Sequence, residues 1–529
     1  MIGFLQPNPP PTPVPVFGAG LITSSFLLSV LVWVPVLMAV VVAVMPNPRR
    51  RYDSYLRLVA FWTNAGLFFL TAIAYNQFSL FLTTIQYEEK QPWLPALGVT
   101  YHLGVDGPGM ALLVLSQLVG MIASLASAGV RERVREYFCL LLLTQAAANG
   151  VIVARDAFVL LLFWGAAVVP LALLVMGWGG PGRVAAGWRL LAYWGAGTVL
   201  LGLAVLLLFA ASGAATFDLD YLQKALPSPR AQVAVSLLVL AAAATRLPLL
   251  PLHGWAAAAY AEAPVGVAVL IAGSASRLGG DLLLRLWVGA EHDGARLLAP
   301  FVAVLAGATI AYAGLAALRA ADVRRLGAYL ALVPGGVTVL GLAGLTALAL
   351  DGAVLSLVTG GLAAALIVGA CATAAERAQA RSLELVSGVG TRAPRLAWLL
   401  VLAGLGLVGV PLFGSFVAQL MVLFGSLRTE PAGAFLAGLG LVVVAVAVAV
   451  LLQRVIFGAP NPDAPGVGDL GLAEAWYLGL LAGALLWFGL LPSGPKLAGV
   501  PIFDPGMVNV MNVGVSEIAS PYLGSETGT

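Results

Sequence analysis

Apolar runs separated by short polar segments dominate the chain. A helix of about 20 apolar residues crosses the hydrocarbon core of a bilayer, so runs of 18 or more indicate membrane-spanning helices. The pattern predicts an all-α polytopic membrane protein with about fourteen transmembrane helices. They lie near 21–44, 55–83, 108–130, 136–153, 156–178, 190–212, 231–252, 262–290, 297–318, 323–347, 351–376, 394–427, 433–457 and 472–492.

The same pattern excludes a β-barrel and argues against a signal peptide. Barrel strands alternate apolar and polar residues, whereas LVVVAVAVAVLL, residues 441–452, has no such alternation. No basic residue precedes the first apolar run in MIGFLQPNPPPTPVPVFG, residues 1–18. We therefore expect the first helix to be retained. The tail after Pro492 is polar and rich in Gly and Pro, and we expect no long lateral helix there.

Two of the predicted helices are interrupted. RLPLLPLHGW, residues 246–255, carries two prolines that break the seventh helix, and LVGVPLFGSFVAQL, residues 407–420, carries a proline and a glycine in the twelfth. Broken helices in two corresponding halves are typical of inverted-repeat transporters. We expect two inverted five-helix repeats, residues 131–290 (helices 4–8) and 291–457 (helices 9–13). A three-helix segment, 1–130, precedes them, and the last helix with the tail, 458–529, follows.

Ionisable residues inside the apolar runs are functional candidates, because an arginine near a helix centre costs about 2.5–3.5 kcal/mol on the insertion scale. Arg277 has Asp281 one turn later on the same helix, so we expect an i,i+4 ion pair between them. This pairing is compatible with a role for Arg277 in a proton path.

A second set of polar residues surrounds the break in the seventh helix. Arg246 lies just before it, and a helix broken at membrane depth must face protein or water. His253 and Glu262 follow the break, with Tyr260 between them. A lone histidine is more often a structural group than a functional one, but its neighbours here favour a hydrated polar axis.

Composition and charge support a membrane protein with a defined orientation. The chain is 60% hydrophobic and 10% charged, and its mean hydropathy is +0.98. Of the 27 Lys and Arg, we assign 17 to segments on one side of the membrane and eight to the other, and Arg246 and Arg277 lie inside helices. The positive-inside rule then predicts that both termini lie on the outer side. The net charge of +3, without a basic run, indicates no nucleic-acid partner.

The chain offers few ligands for a redox centre. Cys139 and Cys371 lie in separate apolar helices, which suits packing better than a disulfide or a metal site. Two cysteines and three histidines show no iron–sulfur or haem ligand set. We therefore expect no cofactor bound by this chain.

Six motifs, taken together, are specific. They are WLPALGVTYHLGVDGPGM (93–110), RLPLLPLHGW (246–255), YAEAP (260–264), ADVRRLGAYLAL (321–332), PLFGSFVAQL (411–420) and FGLLPSGP (488–495). They resemble the antiporter-like, proton-translocating membrane subunits of bacterial NADH–quinone oxidoreductase (respiratory complex I), chain M among them, a family related to Mrp cation/proton antiporters. The similarity covers roughly residues 93–492.

The resemblance implies a central row of carboxylates, lysines and histidines that carries protons, and here much of that row is replaced. The family glutamate of the fifth helix corresponds to Gly165, the histidines of the tenth and eleventh helices to Pro334 and Gly360, and the glutamate of the twelfth to Gln419. None of these four exchanges a proton at physiological pH. Two family lysines correspond to Arg246 and Arg277, and arginine keeps its proton where a buried lysine can lose it. His253 and Glu262 stand at family-like positions, and Tyr260 stands where a histidine is common.

These substitutions leave several functions open. The first is a membrane-arm subunit of a complex I-like oxidoreductase in the bacterial inner membrane. Its partners would be the other membrane-arm subunits, lipid and protons, while NADH or another donor, flavin, iron–sulfur clusters and quinone would belong to partner subunits. Within that complex the chain either translocates protons or is a non-pumping structural spacer. The alternatives are a subunit of a Mrp-type cation/proton antiporter, of a hydrogenase or of an inorganic-carbon uptake complex.

Overall fold

A computed structural model describes residues 26–47, 51–79, 85–225, 227–290, 292–459, 468–490, 496–497, 500–501 and 507–523. The proline-rich N-terminal stretch and the first residues of the predicted first helix lie outside these ranges. The longer helices are α1 Leu27–Val44, α2 Asp53–Asn76, α3 Gly107–Ala126, α4 Val134–Val153, α5 Ala157–Trp178, α6 Arg183–Ser212, α7 Pro229–Arg246, α8 Ala256–Glu262, α9 Val265–Val288, α10 His292–Arg319, α11 Val323–Ala343, α12 Ala347–Arg377, α13 Pro394–Val408, α14 Gly414–Leu427, α15 Pro431–Val455, α16 Leu472–Leu490 and α17 Met507–Leu523. Two short helices, Leu219–Lys224 and Val389–Arg392, lie in connecting segments.

In the described ranges, twelve helices are long and apolar enough to cross a membrane. They are all of the longer helices except α7, α8, α13, α14 and α17. The predicted all-helical membrane class is therefore confirmed, whereas the count of fourteen crossings and the inverted repeats stay predictions.

Both predicted helix breaks are present. The predicted seventh helix is α7 followed by α8, with the two prolines between them. The predicted twelfth is α13 followed by α14, and the turn between them includes Gly409 at φ +77° and Leu412 at φ +94°. A side chain at Gly409 would also collide with Gln419, so glycine is required at this turn.

A β-hairpin replaces the end of the predicted second helix. Strand β1, Gln86–Leu94, pairs antiparallel with β2, Val99–Val105, whereas α2 ends at Asn76. The predicted continuation of that helix to residue 83 is therefore wrong at least for 77–79, and residues 80–84 lie outside the described part. The hairpin turn is fixed to the segment after α6 by a hydrogen bond from the Phe217 amide to the Gly98 carbonyl, 3.2 Å.

The centre of the molecule is formed by α9, α11 and α12. In the most apolar 18-residue stretch of α9 and of α12 every residue is buried, and in that of α11 94% of the residues are buried. By contrast, α10 and α15 pack along each other and direct large apolar side chains outward, including Phe301 and Phe435. Outward apolar faces of this kind are expected where a helix meets lipid or another membrane subunit.

The C-terminal tail forms a helix that was not expected. The helix α17 packs on α3 and α12, and the Tyr522 hydroxyl donates a hydrogen bond of 2.8 Å to the Val288 carbonyl. The tail thus contains a helix at residues 507–523, whereas the expectation that it forms no long lateral helix stays a prediction. Cys139 is partly buried and Cys371 is buried, and both are free thiols, as packing residues would be.

Candidate proton path and its buried charges

Arg246 ends α7 and is enclosed by aromatic rings. Its side chain is fully buried. The guanidinium carbon lies 3.8 Å from the centre of the Trp164 ring and 4.6 Å from that of Trp194. The Arg246 guanidinium also donates a hydrogen bond to the Trp164 carbonyl. Cation–π contacts therefore stabilise a charge that makes no ion pair among the described residues.

Aromatic contacts continue from Arg246 toward the helix that carries Arg277. Trp194 packs edge-on against Trp255, with ring centres 5.2 Å apart, and Trp255 packs against Tyr260 at 5.7 Å. The Tyr260 hydroxyl is hydrogen-bonded to the Ser276 hydroxyl at 2.9 Å. The two buried arginines thus lie at opposite ends of one row of contacts across α5, α6, α8 and α9. We call this row, formed by Trp164, Trp194, Trp255 and Tyr260, the aromatic row.

The expected ion pair between Arg277 and Asp281 is wrong. Asp281 instead pairs with Arg285, one turn further along α9, at 3.2 Å. The same guanidinium donates to the Val151 carbonyl at 3.0 Å and to the Ala154 carbonyl, at the end of α4. These carbonyls hold Arg285 in place, because the last turn of a helix leaves acceptors free. Arg277 has no hydrogen-bond partner among the described residues.

Asp281 and Arg285 belong to a cluster of four charges, in which Asp106 is partly exposed and the other three side chains are buried. Arg155, before α5, pairs with Asp106 at 2.8 Å, and Asp106 interacts electrostatically with Arg285. Asp106 also caps α3 by accepting from the Gly109 amide at 2.7 Å. With two carboxylates and two guanidinium groups, the cluster is neutral overall, which lowers the cost of burying it.

Glu262 ends α8 and lies in a separate, charged cavity. Both of its carboxylate oxygens accept from Arg381, at 2.8 and 3.2 Å, and one also accepts from the Gly182 amide at 3.1 Å. A cavity of about 350 Å³ beside it is also lined by Arg324 and Glu376. None of these hydrogen bonds involves Trp164, Trp194, Trp255 or Tyr260.

His253 also lies apart from the polar axis expected for it. Its ring packs edge-on against Tyr312 of α10, with ring centres 4.6 Å apart, and Tyr312 packs in turn on Tyr329 of α11. The structure therefore brings Arg246 and Tyr260 into one row of contacts, while His253 and Glu262 contact other neighbours. The single polar axis expected from the sequence is divided.

Gly165 lies directly after Trp164 and so beside the Arg246 enclosure. A Cβ atom at this position would meet only the Thr198 methyl group, at 3.3 Å. Among the described residues no carboxylate pairs with Arg246, and its guanidinium packs on the Trp164 ring.

The other three substituted positions meet around one small cavity. Pro334, Gly360 and Gln419 line a space of about 10 Å³ together with hydroxyl groups from Ser356, Thr359 and Ser415. Such a volume admits one water at most. A Cβ atom at Gly360 would lie 2.6 Å from the Pro334 ring, so proline at 334 and any larger residue at 360 exclude each other.

Gln419 stabilises the break between α13 and α14. Its amide nitrogen donates to the Leu407 carbonyl at 3.1 Å, and the Ser415 hydroxyl donates to the Gly406 carbonyl. The break frees these carbonyls from their helical partners. An ionised glutamate offers no donor for them, which gives Gln419 a structural role at the family position.

A further polar cluster joins the hairpin to the segment after α6. His102, which is buried, contacts the Asp218 carboxylate at 3.1 Å and Glu88 at 2.9 Å, and Lys90 contacts the same Asp218 oxygen at 2.5 Å. Burial alone would raise the pKa of Asp218, but hydrogen bonds from His102 and Lys90 outweigh it and hold that pKa far below its usual range. His102, Asp218 and Asp220 have metal-ligand spacing, within 4.8 Å. Because Lys90 binds the same oxygen, the geometry favours an ion-pair cluster over a metal site.

Several of these residues escaped the sequence analysis. Charge counting placed Arg155 and Arg285 among the eight basic residues on the second side of the membrane, yet both are buried. Local signals pointed to Arg285 and to Asp106, the partner of Arg155. Arg285 is four residues after Asp281, as Arg277 is four before it. Asp106 precedes a Gly-Pro pair at the start of an apolar run, as an N-cap residue does.

Known proteins share this architecture over nearly the whole chain. A sequence model of the family described as NADH:quinone oxidoreductase/Mrp antiporter, TM, matches residues 154–445. NAD(P)H-quinone oxidoreductase chain 4 1 of Synechococcus sp. (strain JA-3-3Ab) is 30% identical over 88% of this chain and 90% of the relative. NADH-quinone oxidoreductase subunit M of Rickettsia prowazekii (strain Madrid E) is 25% identical over 88% of this chain and 96% of its own length.

A solved structure agrees with these relatives. A chain of respiratory complex I from Thermus thermophilus superposes with a TM-score of 0.80 and 25% sequence identity, covering 93% of this chain and 99% of that chain. The helical scaffold, its two breaks and the family match all lead to the same conclusion. The chain belongs to the NADH:quinone oxidoreductase/Mrp antiporter family of transmembrane proteins.

Proposed function

We propose that this chain is a membrane-arm subunit of a complex I-like NADH–quinone oxidoreductase in a bacterial inner membrane. The names of the two relatives, each matched over 88% of this chain, support this role. NADH or another electron donor, flavin, iron–sulfur clusters and quinone would then belong to partner subunits. The excess of Lys and Arg on one side supports an orientation with both termini on the outer side.

We further propose that this subunit has lost proton transfer along the positions where the family carries its central row of carboxylates, lysines and histidines. The observation that carries this proposal is the enclosure of Arg246 by Trp164 and Trp194, next to Gly165. Proton relay requires groups that take up and release a proton. An arginine in contact with two indole rings keeps its proton, and the cavity at Pro334 and Gly360 offers no ionisable side chain.

Membership of the complex is tested by affinity purification of the tagged chain from its native membrane in mild detergent. We expect subunits carrying flavin and iron–sulfur clusters to co-purify, together with donor-to-quinone electron transfer. Recovery with other antiporter-like chains but without flavin or iron–sulfur subunits would instead support a Mrp-type antiporter assembly.

Independent antiport is tested with the purified chain in proteoliposomes that contain a pH-sensitive dye. An imposed sodium or potassium gradient should cause no change in internal pH beyond that of empty liposomes. A cation-dependent pH change would contradict the proposed loss of proton transfer, because antiport requires a proton-exchanging group inside the chain.

A further inference from the structure

Most hydrogen-bond donors of the aromatic row and of its two flanking arginines, Arg246 and Arg277, are unpaired among the described residues. Eight buried nitrogen atoms of these residues have no acceptor in the described part of the chain. We call them the donor row: Nε1 of Trp164, Trp194 and Trp255, Nε and Nη1 of Arg246, and Nε, Nη1 and Nη2 of Arg277. Indole and guanidinium nitrogens donate and never accept, so these groups cannot satisfy one another.

Ring contacts connect Arg246 and the three tryptophans of the donor row, and Tyr260 links them to Arg277. Arg246 lies against the rings of Trp164 and Trp194, Trp194 packs on Trp255, and Trp255 packs on Tyr260. Tyr260 lies close enough to Arg277 to interact with it electrostatically. The helices that carry the two arginines also touch, because a Cβ atom at Gly279 would lie 2.8 Å from the Ala243 carbonyl.

Among the described residues, neither arginine of the donor row forms an ion pair. The acids of α8 and α9 are paired elsewhere, Asp281 with Arg285 and Glu262 with Arg381. An isolated ion inside a protein is strongly destabilised unless a counter-charge or hydrogen bonds compensate it. Lysine could compensate by releasing its proton, whereas arginine cannot.

From these contacts we infer that the donor row binds a small inorganic anion such as chloride. An anion accepts hydrogen bonds from several donors at once and supplies the missing negative charge. Water can accept hydrogen bonds from these groups, but it brings no negative charge to offset the two guanidinium groups. This inference does not depend on whether the chain translocates protons.

The test uses the full-length chain in lipid nanodiscs, with chloride replaced by gluconate at constant ionic strength. The midpoint of thermal unfolding is followed by intrinsic tryptophan fluorescence. We expect the wild-type midpoint to rise with chloride and to saturate. Arg277→Gln should abolish the chloride effect. Trp255→Phe keeps the ring but removes one N–H donor, and should raise the half-saturating chloride concentration about tenfold.

Arg230→Gln is the matched control, because Arg230 is exposed at the start of α7. This variant should keep the full chloride effect. A second readout is iodide, which quenches indole fluorescence on contact and should do so saturably in wild type and linearly in Arg277→Gln. Equal unfolding midpoints of wild type in chloride and gluconate would overturn the inference. So would a chloride effect that Arg277→Gln and Trp255→Phe both retain in full.

Discussion

The guanidinium carbon of Arg246 lies 3.8 Å from the centre of the Trp164 ring, and the Trp164 carbonyl accepts a hydrogen bond from the same guanidinium. Gly165, the residue after Trp164, stands where the family resemblance places a glutamate. An aromatic face thus stands in for a carboxylate, and it stabilises a cation without being able to receive a proton. The positive charge of Arg246 is therefore fixed, whereas a glutamate beside it could take part in proton transfer.

A double-mutant cycle measures this contact. Trp164→Leu and Arg246→Met, made singly and together, should show a coupling free energy of about 1–2 kcal/mol in chemical unfolding in detergent. The control cycle pairs Arg246→Met with Trp398→Leu, because Trp398 is 69% exposed. That cycle should give no coupling, and equal coupling in both cycles would refute a direct contact.

The partner of Asp281 is tested by comparing two arginines of α9. Arg285→Gln leaves Asp281 buried without its cation and should lower the free energy of unfolding by about 3–5 kcal/mol. Arg277→Gln removes a charge that lacks a partner and should leave stability in gluconate unchanged or higher. The reverse order of stabilities would show that Asp281 pairs with Arg277.

Substitution of Gln419 tests its role at the second helix break. Gln419→Glu should destabilise the protein by about 1–3 kcal/mol at neutral pH, because the Leu407 carbonyl loses its donor and faces a negative charge. Gln453→Glu, at an exposed position of α15, is the control and should have little effect. An unchanged unfolding midpoint for Gln419→Glu would contradict this account of the break.

The ion-pair cluster at the hairpin predicts a pH dependence. Because the folded-state pKa of Asp218 is lowered, its contribution to stability is present above its unfolded pKa of about 4 and is lost as pH falls through the folded value. The difference in unfolding midpoint between wild type and Asp218→Asn should therefore be constant from pH 7 to pH 5 and shrink below about pH 4. A difference that grows on acidification would have the wrong sign.

The spans and the two helix breaks could be predicted from the sequence because their signals are local. Hydrophobic length indicates a crossing, and proline or glycine indicates a break. The hairpin was missed because its strands, QYEEKQPWL and VTYHLGV, are short, and the first is polar. Its position depends on the distant segment around Asp218.

The buried charges could be recognised from the sequence only in part. Asp281 has an arginine four residues before it and another four residues after it, and helix periodicity cannot choose between them. The choice is made by the carbonyls of Val151 and Ala154 on another helix, which hold Arg285. Likewise, nothing local to Arg246 reveals the two indole rings that enclose it, since they come from α5 and α6.

The central claim is that the charge of Arg246 is fixed and that this subunit's own row carries no protons. The most direct measurement is the number of protons moved per electron pair in proteoliposomes that contain the intact complex with Arg246→Met in this subunit. Arg230→Met is the matched control, and assembly and quinone reduction are checked in both. We expect the ratio to equal that of wild type. A lower ratio with Arg246→Met, at unchanged assembly and electron transfer, would show that the row carries protons and would contradict the account.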